Sequence, residues 1–430
     1  MTTLAVIGAV IAVVSLFRER LRSLPLTTPM LFVAAGMILA PEVLGLAIFD
    51  DGLEDETIAL IAEVTLALLL FSDAARIDTR NDSTSFALPA RLLGIGLPLT
   101  VALGTLVTAL LLTDLSWAEA ALIAAILAPT DAALGEAVVA NPAVPVKIRQ
   151  ALNVESGLND GLVVPVIAVF SALAAESELE GAGELVSEAF LEIGIALIVG
   201  AFIAWLFSVV VPFATGRGWS DAEGFRIVAL GAGVMSFAGS LALGGNGFVA
   251  AFVCGLLARR LMGPTVTDHA EFAEDVSQVG AAAVFLIFGG VMVWPALELV
   301  SPAILLCAIG TLTIGRMLPV AIAMIGTGLM RQTVTFLGWF GPRGLASMLF
   351  GLLLVSDSEV HRPDELFAII SLVVLCSVVL HGMTASPGAR RYGAWYASSI
   401  EDDHDMMEAE MVIESPLRWI DPTTATKETP

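Results

Sequence analysis

Long apolar stretches alternate with short polar connections along nearly the whole chain. A helix that crosses the hydrocarbon core of a bilayer needs roughly 17–25 such residues, and most of the apolar stretches reach that length. The pattern predicts an all-α polytopic membrane protein with about thirteen transmembrane helices. The predicted segments are 4–17, 26–47, 57–76, 86–112, 118–139, 147–173, 187–211, 224–241, 244–261, 277–294, 299–326, 332–355 and 364–384. The first lacks a basic leader and a small-residue cleavage site, so we interpret it as a helix and not as a signal peptide.

Positively charged residues fall on alternate connections. Arg18, Arg20 and Arg22 begin a series that continues on every second connection, whereas Arg362 is alone on the other side. Because Lys and Arg collect on the cytoplasmic side, this asymmetry predicts an external N-terminus and a cytoplasmic C-terminus. The expected location is the cell (plasma) membrane.

The net charge of −23 comes from acidic residues in the predicted external loops and near the C-terminus, and Arg outnumbers Lys 18 to 2. This composition fits a halophile-like acidic surface in high salt, where screening weakens self-repulsion. A vestibule that concentrates cations is the alternative. Residues 1–395 are predicted to form one transmembrane domain. Residues 396–430 are predicted to form a short acidic cytoplasmic tail that is disordered, because it has too little apolar area to fold alone.

Two of the apolar segments contain a helix-breaking proline. Pro129 interrupts the fifth segment within Ala128-Pro129-Thr130-Asp131, and Pro342 interrupts the twelfth within Gly341-Pro342-Arg343-Gly344. Proline removes a backbone donor and clashes with the carbonyl four residues back, so both helices should break. Broken helices at corresponding positions of two inverted repeats are typical of transporters, which bind their substrate at the level of the break.

Carboxylates occur inside the same segments, where an ionisable group costs about 2.5–3.5 kcal/mol by insertion scales. Asp131 and Asp160 each follow the start of their segment by about 13 residues, or ~20 Å, so they reach a similar depth on neighbouring helices. Ser156 lies one turn from Asp160 on the same face. With the backbone carbonyl of Thr130, these side chains can offer the oxygen ligands that hard cations prefer. The pattern predicts an ion-binding site.

Two arginines inside the membrane need partners as well. Arg316 and Arg343 cannot face lipid unpaired, and Glu155 is the natural partner for one of them. Asp73 lies near the cytoplasmic end of the third segment. A ligand role through water and a simple pair with Arg76 are equally good interpretations of Asp73.

These motifs resemble the monovalent cation:proton antiporter-1 family, the NhaP-type sodium/proton exchangers, over residues 1 to about 390. The motifs that carry the resemblance are Ala128-Pro129-Thr130-Asp131, Glu155-Ser156-Gly157-Leu158-Asn159-Asp160-Gly161, Arg316-Met317-Leu318-Pro319 and Gly338-Trp339-Phe340-Gly341-Pro342-Arg343-Gly344. The resemblance implies thirteen helices, an antiparallel crossing of broken helices five and twelve, a homodimer and alternating access. It also implies a core of helices at about 86–173 and 299–384, with the others serving as scaffold and dimer contact.

The resemblance further implies residue roles. Asp160 and Asp131 would bind the ion with Ser156 and Thr130, while Glu155 and Arg316 would form an ion pair between helices. Asn159 before Asp160, counted here with the binding residues, resembles the electroneutral branch. The position of Asp73 more often carries Glu in the family, which puts a ligand role there in doubt.

The expected function is antiport of Na⁺ or Li⁺ for H⁺ with one-to-one stoichiometry, and K⁺/H⁺ antiport is the alternative. The expected partners are monovalent cations, protons and the lipid bilayer. Enzyme activity, a cofactor and a nucleic-acid partner are not expected. A sodium-coupled symporter of organic anions is a more remote possibility. An intramembrane aspartyl protease is disfavoured because neither Asp131 nor Asp160 has a Gly-x-Gly-Asp context.

Overall fold

The structure is a computed structural model. It describes residues 2–17, 26–44, 56–77, 83–131, 134–175, 182–219, 221–263, 265–356, 360–402 and 406–410. The regular secondary structure of these residues is entirely helical. Helices labelled α1 to α13 follow the thirteen apolar segments in order, so the prediction of an all-α polytopic chain is confirmed.

The first six helices run as follows. They are α1 Thr2–Leu16; α2 Thr28–Leu39; α3 Glu56–Arg76; α4, which comprises Ser83–Arg91, a π-helical turn Leu92–Gly96 and Leu97–Leu111; α5, in two pieces, α5a Trp117–Ile126 and α5b Glu136–Val139; and α6 Val146–Ala175.

Helices α7 to α13 follow, and two short helical turns, Pro41–Leu44 after α2 and Met407–Ala409 after α13, lie outside this numbering. The numbered helices are α7 Ala182–Gly216; α8 Ala222–Ala242; α9 Gly247–Met262; α10, which comprises Thr265–Ile287, a π-helical turn Phe288–Met292 and Val293–Glu298; α11, made of Pro302–Leu312 and Ile314–Ala323; α12, in two pieces, α12a Arg331–Trp339 and α12b Leu345–Ser356; and α13 Pro363–Asp402.

Seven helices in the described ranges are long and apolar enough to cross a membrane, and they belong to α4, α6, α7, α8, α10, α11 and α13. The pieces α5a and α12b are apolar but shorter, because each ends or begins at a break in its helix. The interruptions therefore fall where the two prolines predict them.

The helices pack in two groups. In the first, α3 packs against α9 and α10, α9 packs against α7, and α8 lies against α9 and α10. The second surrounds the breaks, with α5a against α4 and α6, α11 against α4, and α12b against α13. Helix α6 joins the groups because it also contacts α3, α7 and α9. At Gly161 of α6 a Cβ atom would overlap the Phe252 ring of α9, so this close approach requires glycine.

Several positive residues lie toward one end of the molecule, and we call this end the arginine face (Arg91, Lys147, Arg331, Arg390 and Arg391). Contacts between the elements define this end. Arg91 donates to the carbonyls of Ala323 and Ile325 after α11, at 3.0 and 2.6 Å.

The C-terminal region departs from the sequence prediction. Helix α13 continues past the expected boundary at 395 to Asp402, and residues 406–410 pack on the arginine face. Glu408 Oε1 accepts hydrogen bonds from Met330 N at 2.8 Å and from Thr333 Oγ1 at 2.6 Å. Lys147 Nζ donates to Met407 O at 3.1 Å and pairs with Glu410 Oε2 at 2.5 Å.

Residues 406–410 are thus held by contacts with the membrane domain, and disorder of the tail as a whole stays a prediction. Their order comes from hydrogen bonds to the membrane domain and not from a core of their own. The rest of that prediction concerns 403–405 and 411–430, which lie outside the described residues.

Candidate ion-binding site

The interrupted helices α5 and α12 meet at their breaks. Asp131, in the connection between α5a and α5b, donates its backbone N–H to Pro342 O at 2.7 Å. Ser347 at the start of α12b donates to Ile126 O at the end of α5a, at 2.7 Å. The two broken helices therefore cross, as the family resemblance implies.

Each break supplies a charged side chain that hydrogen-bonds to the interrupted end of the other helix. Asp131 Oδ2 accepts from the backbone N–H of Leu345, the first residue of α12b, at 2.8 Å. Arg343 donates to the carbonyl oxygens of Ala128 and, at 3.1 Å, of Pro129, just beyond α5a. Helix ends leave backbone groups unsatisfied and carry partial charges of the sign that these residues complement. These two capping interactions, from Asp131 to α12b and from Arg343 to the end of α5a, stabilise the crossing.

Gly344 makes this approach possible. A Cβ atom at that position would overlap the carboxylate of Asp131. The glycine before α12b is thus a steric requirement of the Asp131 cap.

Helix α6 is joined to the break in α5 by three polar side chains. Thr130 Oγ1 lies 3.0 Å from Ser156 Oγ and accepts from Asn159 Nδ2 at 2.8 Å. All three side chains are buried. The structure thus brings together Thr130, Ser156 and Asn159, and it does so through the hydroxyl of Thr130.

Asp160 follows Asn159 and is buried, with 4% of its surface exposed. Its Oδ1 has no hydrogen-bond partner among the described residues, and neither has Oδ1 of Asn159. Asp131 is close enough to repel the Asp160 carboxylate. A buried carboxylate oxygen without a donor destabilises the bare anion, so the arrangement favours a bound proton or cation at Asp160.

The donor set limits which ion fits. In the described part of the chain no three residues of the types His, Cys, Asp and Glu converge as a metal site. Hydroxyl and amide oxygens stand beside the carboxylates instead. Affinity for a cation rises with the number of charged ligands, so this set suits an ion that is bound and released.

Glu155 and Arg316 face each other across α6 and α11. Arg316 Nη1 donates to Glu155 Oε1 at 2.5 Å and Nη2 donates to Oε2 at 2.7 Å, and each residue is only 2% exposed. This bidentate geometry is the strong form of the interaction. Glu155 is therefore occupied, whereas Asp160 keeps an oxygen available.

Asp73 is buried in α3 beside Gly157 of α6, the residue that follows Ser156. The Cβ of Asp73 lies 3.7 Å from where a Cβ on Gly157 would be. Arg76 forms an ion pair with Glu274 of α10. The pair with Glu274 leaves both interpretations of Asp73, a ligand through water and a partner of Arg76, as predictions.

Sequence reasoning missed two polar residues of α13. Ser377 Oγ accepts from Arg343 N at 2.6 Å, and His381 Nε2 lies 3.0 Å from Trp339 O at the end of α12a. Their separation of four residues within an apolar segment places them on one helix face and was the available signal.

A cavity of about 310 Å³ opens above the site, away from the arginine face. It lies between α6, α7, α9 and α12b, and its lining includes Val164, Glu188, Glu192 and Phe350. Val164 is one turn beyond Asp160 on α6, so the cavity leads toward that carboxylate from one side of the membrane domain.

The family model described as "Sodium/hydrogen exchanger, transmembrane" matches residues 6–391. This chain belongs to the sodium/hydrogen exchanger family. The match includes both broken helices and every residue of the site, and it confirms the family assignment that the motifs predict.

Curated relatives of this exchanger are distant but extensive. The K(+)/H(+) antiporter NhaP2 of Shewanella sp. (strain ANA-3) is 27% identical over 394 residues, which is 89% of this chain and 66% of the relative. The K(+)/H(+) antiporter NhaP of Alkalimonas amylolytica is 25% identical over 371 residues, or 84% and 62% of the two chains. The exchanger thus spans less than two thirds of the length of these curated relatives.

Solved structures share the fold of the exchanger. The sodium proton antiporter MjNhaP1 from Methanocaldococcus jannaschii at pH 8 superposes with a TM-score of 0.72 at 19% identity, over 91% of this chain and 99% of that one. An EM map of the same protein gives 0.72 at 17% identity, over 93% and 98%. At this identity the likeness concerns the fold alone.

Proposed function

We propose that this exchanger is a secondary antiporter that moves one monovalent cation against one proton across the plasma membrane. The observation that carries the proposal is the buried Asp160 oxygen without a hydrogen-bond partner among the described residues, next to the crossing of two broken helices. Asp131, Thr130, Ser156 and Asn159 complete the proposed binding set, with Asp73 as a more distant contributor through water.

Exchange follows from competition at one carboxylate. Asp160 and Asp131 repel each other, so the pair as a unit favours one bound positive charge. A proton and a metal cation exclude one another there. If the protein changes its access only when one of them is bound, each step in one direction carries a cation and each return carries a proton.

The charges around the site support an electroneutral cycle. Arg343 and Asp131 are held by helix ends, and Glu155 is paired with Arg316, so these charges stay fixed while Asp160 changes its cargo. The proton-loaded and cation-loaded forms then carry the same charge.

Na⁺ and K⁺ are both candidates for the cation. The relatives from Shewanella and Alkalimonas are named K(+)/H(+) antiporters, whereas a relative from Schizosaccharomyces pombe, 24% identical over 314 residues that make up 63% of this chain and 40% of the relative, is named a probable Na(+)/H(+) antiporter. The hydroxyl and carboxylate ligands accept either ion. We therefore propose exchange of Na⁺ or Li⁺, and keep K⁺ exchange as an equally supported candidate.

The arrangement in the membrane and the assembly are also proposed. The arginine face would be cytoplasmic by the positive-inside rule, which puts the 310 Å³ cavity on the external side. A homodimer through helices of the first packing group, with the groups moving relative to each other, is what the family resemblance supports.

Proton flux in reconstituted vesicles tests the proposal. Vesicles that hold a pH gradient are challenged with Na⁺, Li⁺ or K⁺ in turn, and the same assay is run on Asp160→Asn. Asp364→Asn, an exposed acid at the start of α13, is the matched control because it removes one carboxylate far from the breaks.

We expect at least one cation to drive proton movement in the wild type and in Asp364→Asn, and Asp160→Asn to abolish it. A response to K⁺ alone would assign the potassium alternative. Retained flux in Asp160→Asn would refute the site, and no response to any of the cations would refute antiport and favour the symporter alternative.

A further inference from the structure

A groove of about 740 Å³ runs between α12a and α13 at the arginine face. The residues used below are Arg331, Thr335, Trp339, Met383, Pro387 and Arg391, all of which line it. It lies beside the ion site and not within it, since Asp131 and Asp160 are absent from its lining.

On both helices the side chains that line the groove change from charged at the arginine face to apolar deeper in the membrane domain. On α12a, Arg331, Thr335 and Trp339 are spaced by four residues and share one face. On α13, Met383, Pro387 and Arg391 are spaced in the same way. Helix α12a begins at the arginine face and α13 ends there, so both arginines lie at that end and the apolar side chains lie deeper.

The groove is positively charged, although the protein as a whole carries a net negative charge. Its lining contains two arginines and no Asp or Glu, in a chain with 43 acidic and 20 basic residues. Both arginines are exposed, and neither forms an ion pair with a residue in the part of the chain that the structure describes. Two free guanidinium groups at one end suit a phosphate, which Arg binds in bidentate fashion.

The deeper end of the groove continues into lipid-facing surface. On α13, Val379 and Leu380 are each 40% exposed and Met383 is 53% exposed. Apolar side chains with this exposure on a membrane helix contact acyl chains. The Trp339 ring adds an aromatic wall of the kind found near membrane interfaces. A molecule that fits both ends is therefore amphipathic, which excludes free phosphate.

We propose that this groove binds one anionic phospholipid from the leaflet at the arginine face. Its phosphate contacts Arg331 and Arg391, and an acyl chain follows Trp339 and Met383. Basic pockets between transmembrane helices on the cytoplasmic side are suited to anionic lipid headgroups.

The position of the groove links the lipid to the broken helix. Trp339 is the last residue of α12a, and its Nε1 donates to Thr384 Oγ1 of α13 at 3.0 Å. Tyr392 also lines the groove, and its hydroxyl lies 2.9 Å from Thr333 Oγ1 of α12a. A lipid that contacts both helices adds to these bonds and holds α12a against α13 on one side of the break.

Binding is measured on the full chain in uncharged detergent. Dioleoyl phosphatidylglycerol, dioleoyl phosphatidylcholine and inorganic phosphate are titrated separately, and the thermal unfolding midpoint and the lipid retained in native mass spectrometry are recorded. The test variant is R331Q/R391Q. The control is R217Q/R390Q, which removes the same charge from exposed arginines outside the groove.

We expect phosphatidylglycerol alone to raise the midpoint of the wild type and of R217Q/R390Q. R331Q/R391Q should bind it about 25-fold more weakly, because each of the two arginines near an anionic headgroup contributes on the order of 1 kcal/mol, equivalent to about a fivefold change. Equal loss in both double variants, equal binding of phosphatidylcholine, or equal protection by phosphate would overturn the proposal.

A second measurement leaves the arginines intact. Phosphatidylglycerol with brominated acyl chains should quench the tryptophan fluorescence of the wild type, and W339F should lose a saturable part of that quenching. Saturable quenching that W339F leaves unchanged would place the lipid elsewhere and refute the groove as its site.

Discussion

Two carboxylates that look equivalent in the sequence have different surroundings in the structure. Asp131 Oδ2 accepts a backbone N–H of α12b, so much of its hydrogen-bonding capacity serves the fold. Asp160 Oδ1 has no such partner among the described residues. Because a buried charged oxygen without a donor is unfavourable, Asp160 is the better candidate for the group that binds a proton and a cation in turn.

This difference predicts unequal effects of amide substitution. Asp131→Asn keeps an oxygen that can accept from Leu345 N, so the variant should fold and exchange with a raised KM for the cation, because one negative charge near it is lost. Asp160→Asn should abolish exchange. Cation-dependent proton flux and thermal unfolding of both variants check this, and equal loss of flux with equal stability would contradict it.

Gly344 gives a steric prediction. In Gly344→Ala the added methyl would overlap the Asp131 carboxylate and force the breaks apart. Overpacking of this kind costs about 1–3 kcal/mol, so we expect a lower unfolding midpoint and at least a tenfold loss of exchange. Gly94→Ala in α4 is the control, because no atom lies within 4 Å of its added Cβ. Equal behaviour of both variants would show that the close approach at Gly344 is not required.

At the residue scale, the sequence identifies the charged residues of the site more readily than the groups to which they hydrogen-bond. Asp131 and Asp160 stand out because ionisable groups are rare in apolar segments. The partners of Arg343 are backbone carbonyls of another helix, and every residue carries a carbonyl, so no residue type could indicate them. Ser377 and His381 act on the backbone of α12 in the same way, and their role depends on a contact that the sequence does not encode locally.

At the scale of elements, the crossing works because each interrupted helix completes the other. Arg343 donates to the carbonyl oxygens of Ala128 and Pro129 just beyond the end of α5a. Asp131 accepts the backbone N–H of Leu345, the first residue of α12b. Interrupted backbone inside a membrane is tolerated where protein satisfies its polar groups. The prolines therefore create unpaired groups that the opposite helix uses.

The ion pair between α6 and α11 carries a stability prediction. Glu155→Gln or Arg316→Ala leaves a buried charge uncompensated, at a cost of about 3–5 kcal/mol. The double change E155Q/R316M removes both charges and should cost less than the sum of the single changes. Thermal unfolding of the three variants measures this coupling. Wild-type stability in both single variants would argue against a structural role for the pair.

The sequence predicts which elements exist better than where they end. Among the residues that the structure describes, each of the thirteen apolar segments contains a helix, and both proline breaks occur. The π-helical turns Leu92–Gly96 and Phe288–Met292 were not predicted, because they depend on packing and not on composition. The extension of α13 to Asp402 was missed as well, since its last turns are amphipathic and resemble an exposed connection.

At the scale of the whole molecule, residues 406–410 connect parts of the chain that are far apart in sequence. Lys147 begins the ion-site helix α6, Met330 precedes α12a, and both contact this segment. The prediction of disorder considered the acidic tail alone, which has too little apolar area to fold by itself, whereas the buried Glu408 carboxylate accepts two hydrogen bonds from the membrane domain.

The contacts of residues 406–410 predict that Glu408→Ala lowers the stability of the protein more than Glu410→Ala does. Glu408→Ala leaves Met330 N and Thr333 without their acceptor and should cost about 1–3 kcal/mol. Glu410→Ala removes an acid that is 41% exposed, and partly exposed pairs contribute about 0–1 kcal/mol. Unfolding midpoints of the two variants should therefore differ. An effect of Glu410→Ala as large as that of Glu408→Ala would contradict this order.

Lys147 has a practical consequence of its own. It and Lys427 are the only lysines in the chain, and the amine of Lys147 is covered by Met407 and Glu410. An acylating reagent can modify that amine only when the covering segment has lifted. The rate at which Lys147 is acylated therefore reports how often residues 406–410 dissociate from the membrane domain. It can be measured by mass spectrometry on the unaltered protein, without any introduced label.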